Sequence, residues 1–169
     1  MARRPSFDRR RALAALGSGV ATAIAGCLGD DGLAINGDPR YEEGTVDVGD
    51  DAENRSAEEM TAAEALAEQE VTESVTTLDV LELVDHEFVL EDDYRGSTVQ
   101  GTVENTGSDR IELAEVRVRV YDDAGAQLGR YLATVGDLDG GARWSFQVVV
   151  LQSPGDIARY DVTALGTPT

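Results

Sequence analysis

From Leu78 onward the chain alternates apolar and polar residues with a period of two, and this pattern decides what it can fold into. Successive side chains of a strand point to opposite faces, so Val116, Val118 and Val120, interleaved with Arg117 and Arg119, set three valines against two arginines. That strand is read as Leu113 to Tyr121. Five more segments qualify: near Val80 to Leu90, Thr98 to Val103, Leu128 to Val135, Arg143 to Leu151 and Tyr160 to Leu165. Asn105-Thr106-Gly107 and Asp122-Asp123-Ala124-Gly125 supply turns, and Ser153-Pro154-Gly155 leaves room for one helical turn. Short strands with no helix between them predict a mainly β, antiparallel sandwich over 78–169. Trp144 alternates with Phe146, Val148 and Val150 and is expected as a core anchor, with a binding role as the other reading for a tryptophan.

The preceding segments differ in kind. Ser56-Ala57-Glu58-Glu59 has the form of a capping box, and the Ala/Glu-rich run after it predicts a helix from about Ala57 to Val71 within a spacer over 56–77. Its weak apolar stripe fits a spacer, a helix resting on its own domain, or a partner-binding helix. Residues 27–55 are dominated by Gly, Asp, Glu and Asn. Burial there cannot offset the entropy of ordering the chain, so an acidic, disordered tether is expected. Asn54-Arg55-Ser56 within it is an N-glycosylation sequon.

Residues 1–26 carry Arg3, Arg4, Arg9, Arg10 and Arg11, then an uncharged stretch from Ala12 to Ala25, and so have the layout of an export signal. That stretch is rich in Ala and Gly and shorter than the ~20 apolar residues needed to span a bilayer. Arg9-Arg10-Arg11 followed by Ala12-Leu13 resembles a twin-arginine signal, with Asp8 where Ser or Thr is usual. Ile24-Ala25-Gly26-Cys27 resembles a lipobox, in which the cysteine receives the lipid. The expectation is cleavage before Cys27 and a lipid anchor on the outer face of the cytoplasmic membrane. Cys27 is the one cysteine in the chain, so the domain must fold without a disulfide.

Charge narrows the partners. The chain carries 33 acids, 14 basic residues and no lysine, for a net charge of −19. Such a surface repels nucleic acid, so none is expected as a partner. The acids are spread along the chain, strand segments included, and molar salt shortens the Debye length to about 3 Å, where self-repulsion is screened. The composition resembles that of proteins from extremely halophilic archaea.

Catalytic chemistry finds little to work with. His86 is the sole histidine and is expected as a partly exposed strand residue, and with Cys27 lipidated no zinc, copper or non-haem iron set can form. A phosphate loop of the lysine-bearing kind is excluded. Asp92-Asp93, Asp122-Asp123 and Asp137 with Asp139 offer oxygens to Ca²⁺, yet in so acidic a chain they read as solvated turn carboxylates. No cofactor is expected.

Val116-Arg117-Val118-Arg119-Val120-Tyr121-Asp122 resembles the strand that names the FxLYD family of small extracytoplasmic domains, with Val118 at the Phe position, Val120 at the Leu position, and Tyr121 and Asp122 matching. Val99-x-Gly101-x-Val103-x-Asn105 is similar to that family as well. The resemblance covers roughly Leu83 to Leu165 and implies an immunoglobulin-like sandwich on a membrane-anchored protein, with no catalytic residues to carry over. The function expected is a non-enzymatic binding or assembly module that contacts another protein of the cell envelope. An accessory ligand-binding protein of a transporter and a divalent-ion-dependent enzyme are the alternatives.

Overall fold

The Val/Arg alternation becomes an interior strand of a two-sheet sandwich. The computed structural model describes residues 38–49 and 52–168, all within one unit spanning Gly32–Thr169. The signal region 1–26, with Arg9, Arg10 and Arg11, and the anchor Cys27 lie outside the described residues. In chain order the elements are β1 (Glu42–Thr45), α1 (Ala57–Ala67), β2 (Leu81–Leu90), β3 (Ser97–Asn105), β4 (Ile111–Tyr121), β5 (Gln127–Leu138), β6 (Arg143–Val149), a 3-10 turn (Pro154–Asp156) and β7 (Arg159–Pro168). One sheet has the order β1-β7-β4-β5 and the other β2-β3-β6, with every pairing antiparallel. The β2–β3 and β4–β5 hairpins stay within a sheet, while the chain changes sheets after β1, β3, β5 and β6.

Valine fills the space between the sheets. Val99 and Val103 of β3, Val116, Val118 and Val120 of β4, Val148 on β6 and Val162 of β7 are all fully buried. Each contributes about 1.5 kcal/mol or more by leaving water, and β-branched side chains suit the pleated surface. Trp144 stands opposite Val103 and packs against this core from a half-buried position, its ring 5.9 Å from that of Phe146.

The β4–β5 hairpin shows how the turn sequence acts. Asp122 accepts the Ala126 amide on its side chain at 2.7 Å and the Gly125 amide on its carbonyl at 3.0 Å. Gly125 sits at φ +81°, a conformation that a Cβ disfavours.

Two elements differ from the sequence expectation. Helix α1 begins on the expected capping box, Ser56 Oγ accepting from Glu59 N and Glu59 returning to Ser56 N, but stops at Ala67. No basic residue stands in its last turn, and Glu64, Glu68 and Glu70 face the negative end of the helix dipole. The chain then crosses the outer face of the four-stranded sheet, with a turn at Glu73–Ser74. Helix α1 packs against β5 and β6 through the fully buried Ala63. Within 27–55, where composition leads one to expect a structureless tether, Glu42–Thr45 forms β1, a seventh strand paired to β7. Among the described residues no helix is long and apolar enough to cross a membrane.

Candidate functional site

The outer face of β4 and β7 carries a polar cluster built on one carboxylate. Because Val116, Val118 and Val120 point inward, Arg117, Arg119 and Tyr121 point outward. Register places Arg119 opposite Asp161, and Tyr121 opposite Arg159. Arg119 grips Asp161 in a two-pronged pair, Nε to Oδ1 at 2.8 Å and Nη2 to Oδ2 at 2.6 Å. Tyr121 donates its hydroxyl to the same carboxylate at 3.0 Å. Arg159 lies over the Tyr121 ring at 3.9 Å, and Arg119 lies over the Tyr41 ring at 3.5 Å. The Asp161 hydrogen bond raises the Arg119 guanidinium above its usual range. Burial, helped by the bond to Asp161, raises the Tyr121 phenol.

Beside it, Glu115 is fully buried on β4. It accepts the Thr72 amide at 3.1 Å and pairs with Arg117, which donates to the Thr72 carbonyl at 3.0 Å. The segment after α1 is thus stitched to the sheet, and Thr76 extends the stitching by exchanging both backbone bonds with Gly166.

Tyr160, next along β7, points the other way. It is 1% exposed, and burial, with the nearby Glu87 charge, pushes its phenol up to about 12. Its hydroxyl lies 2.7 Å from Nδ1 of His86 on β2, and Nε2 of His86 is 3.9 Å from a Glu42 carboxylate oxygen. Gly44 passes so close to the Tyr160 ring that a Cβ there would lie 2.1 Å from it. Strand β1 is therefore held on both sides: Tyr41 on Arg119 outside, Gly44 on Tyr160 within, with Glu43 3.6 Å from Arg159 and Val46 packed on the core.

A third fastening precedes α1. Arg55 donates to the carbonyls of Tyr94 at 3.1 Å, Val150 at 2.9 Å and Ser97 at 3.3 Å, and to that of Arg95. Burial lowers its pKa. Asn54, the sequon residue, is exposed beside this anchor.

These groups clamp segments together. A phenol held near 12 is protonated at neutral pH, the reverse of an activated nucleophile. One carboxylate of each turn pair is engaged: Asp93 holds Arg95, Asp122 holds its own turn, and Asp137, at φ +56°, pairs with Arg110 at 2.8 Å. Among the described residues no three His, Cys, Asp or Glu side chains converge on a metal-sized site. A shallow cleft lined by Glu53, Asn54, Arg55, Glu59, Asp92 and Asp93 opens beside the Arg55 anchor.

The residues singled out from sequence thus separate. Val118 and Val120 belong to the core, Tyr121 to the outer cluster, and Asp122 to the hairpin turn. Asn54 stands apart, beside Arg55. Sequence reasoning passed over Tyr41, Asp161, Arg55 and Glu115. The available signal was the pair of outward arginines on one strand and Asp161 between Tyr160 and Val162 on another.

The chain is similar to an uncharacterized protein of Methanocaldococcus jannaschii, 27% identical over 89 residues. That stretch is 52% of this chain and 64% of the relative, so the chain spans less than two thirds of that protein's length. No family model matches the chain, and no solved structure matches it.

Proposed function

We propose that the protein is a lipid-anchored extracytoplasmic module of the cell envelope, non-enzymatic, whose sandwich binds or assembles with another envelope protein. In this reading Arg9, Arg10 and Arg11 belong to a twin-arginine export signal, Cys27 carries the lipid, and the acidic surface is an adaptation to molar salt. The sandwich is a divergent FxLYD-like domain, with Val118, Val120, Tyr121 and Asp122 in the motif positions. The observation that supports the reading best is the use made of the polar cluster. Its arginines and tyrosines fasten the chain arriving from the side of Cys27 to the edge of the sandwich, an attachment that suits a domain displayed on a tether.

Cell fractionation of wild type and Cys27→Ser tests the anchor. The variant is expected in the medium or as an unprocessed precursor, while wild type stays with the membrane and extracts into detergent. A Cys27→Ser protein processed to the same length and still membrane-bound would overturn the proposal.

A further inference from the structure

We propose that the edge of β7 beneath β1 is a strand-exchange surface, and that its second occupant is the Tyr41–Val46 segment of another copy of this chain. The proposal deepens the assembly reading by naming the partner, and rests on it only for the membrane setting.

Strand β1 joins β7 without a hairpin. It comes from a part of the chain remote in sequence, and its four residues cover only Arg159–Val162 of a ten-residue strand. Its principal contacts are with β7 and β2, both elements of the sandwich. A second copy offers every one of these contacts unchanged. Exchange therefore costs no interaction energy and sacrifices only the effective concentration of the intramolecular strand, in the millimolar range for a short flexible linker.

The surface is selective for this sequence. Gly44 fits because a Cβ there would fall 2.1 Å from the Tyr160 ring, Tyr41 is captured by Arg119, and Val46 reaches the core. No other segment of the chain places Tyr, Gly and Val at this spacing. Charge points the same way: in a chain of net charge −19, the covered edge presents Arg159 to the incoming Glu43, while Arg119, balanced by Asp161, offers its face to Tyr41. An acidic extended segment with a tyrosine and a glycine is the complement, and this chain carries one.

A hinge is present. Between Val46 and the Arg55 anchor the described residues make one backbone hydrogen bond among themselves, Ala52 N to Gly49 O at 3.1 Å. Straightened, those eight intervening residues reach about 27 Å, enough to carry β1 to a neighbouring molecule. Molar salt screens the repulsion between two acidic chains at contact.

Disulfide trapping between two different full-length chains tests this, both carrying Cys27→Ser so that the introduced thiols are the only ones. Thr45 stands opposite Arg159, at a spacing that suits a disulfide. The acceptor chain is Gly44→Val with Arg159→Cys, its own β1 blocked by Tyr160. The donor is Thr45→Cys. Mixed at high concentration in molar salt under mild oxidation, they are expected to give a disulfide-linked heterodimer several-fold above that from a Gly44→Val, Thr45→Cys donor. A Tyr41→Ala, Arg159→Cys acceptor, which loses the stacking without a clash, repeats the measurement should the first acceptor not fold. The double variant Thr45→Cys, Arg159→Cys should close within one chain at low concentration. Heterodimer no greater than the blocked-donor level overturns the exchange, and failure of the double variant to close overturns the pairing beneath it. Neither result bears on the Cys27 fractionation, which fails or succeeds separately.

Discussion

Replacing Arg119 with alanine should be among the more damaging single changes to the sandwich surface, and the structure sets its size. The substitution removes both prongs from Asp161, whose side chain is 8% exposed, and leaves that carboxylate only the Tyr121 hydroxyl. Breaking a fully buried pair costs about 3–5 kcal/mol. Here the Arg119 side chain is 30% exposed, so water can reach part of the gap, and the expected loss falls to about 2–3 kcal/mol. Loss of the stack on Tyr41 is included and contributes about 0.5–1 kcal/mol. Asp161→Ala should cost less, because the freed arginine can swing into solvent. The double variant should therefore be less destabilised than the two singles together, by about 1–2 kcal/mol. Thermal unfolding followed by circular dichroism, with Trp144 fluorescence as a second probe, measures all four corners. The Arg119→Ala midpoint should fall by roughly 10 °C. The cycle should be run in molar salt, because a surface ion pair would be screened there and a shielded one would not. Additivity within about 0.5 kcal/mol would refute the reasoning, since it would mean that the pair contributes no more than an exposed one.

Asn105→Ala should destabilise the domain by about 2–3 kcal/mol. The side chain is fully buried and donates to the carbonyls of Asp109, Leu138 and Asp139 while accepting the Gly107 amide, so truncation strands several backbone groups; denaturant unfolding measures the loss. Alkaline pH should act through Tyr160. Its folded pKa, about 12, lies above the ordinary 10.0, so the native state holds a proton that the unfolded chain releases. That contribution is intact below pH 10 and is lost as pH rises toward 12, by up to ~1.4 kcal/mol per unit. Tyr160→Phe should flatten the decline in unfolding free energy over this window, and an unchanged slope would count against it.

The sandwich was legible because its strands obey a local rule. Val116–Val120 and Trp144–Val150 alternate so regularly that burial of one face follows from sequence alone. The Ser56/Glu59 box and the Asp122–Gly125 turn are equally local, closed by hydrogen bonds within a few residues. Strand β1 was not legible for the opposite reason. Glu-Glu-Gly-Thr has no apolar alternation, and its extended form is imposed by Tyr160, Arg119 and Arg159, residues remote in sequence. Glu115 hides in the same way: its neighbours look like an exposed strand face until the segment bearing Thr72 folds over it. His86 is partly exposed as expected, but its Nδ1 meets a buried phenol that only the β2–β7 contact provides.

Position gives β1 a mechanical meaning. For a domain anchored at Cys27 as proposed, any pull on the anchor enters through Tyr41 and Glu42 and reaches the other strands through the pairing of β1 with β7. Because Glu42 pairs with Val162 and Thr45 with Arg159, a force along the strand shears four rungs at once, whereas a sideways force opens them one by one from Glu42. Release would stop at the carbonyl cage around Arg55, freeing residues 41–54 for up to about 45 Å of added contour while the sandwich remained folded. The domain would then have two standing heights above its membrane, with β1 as the catch between them.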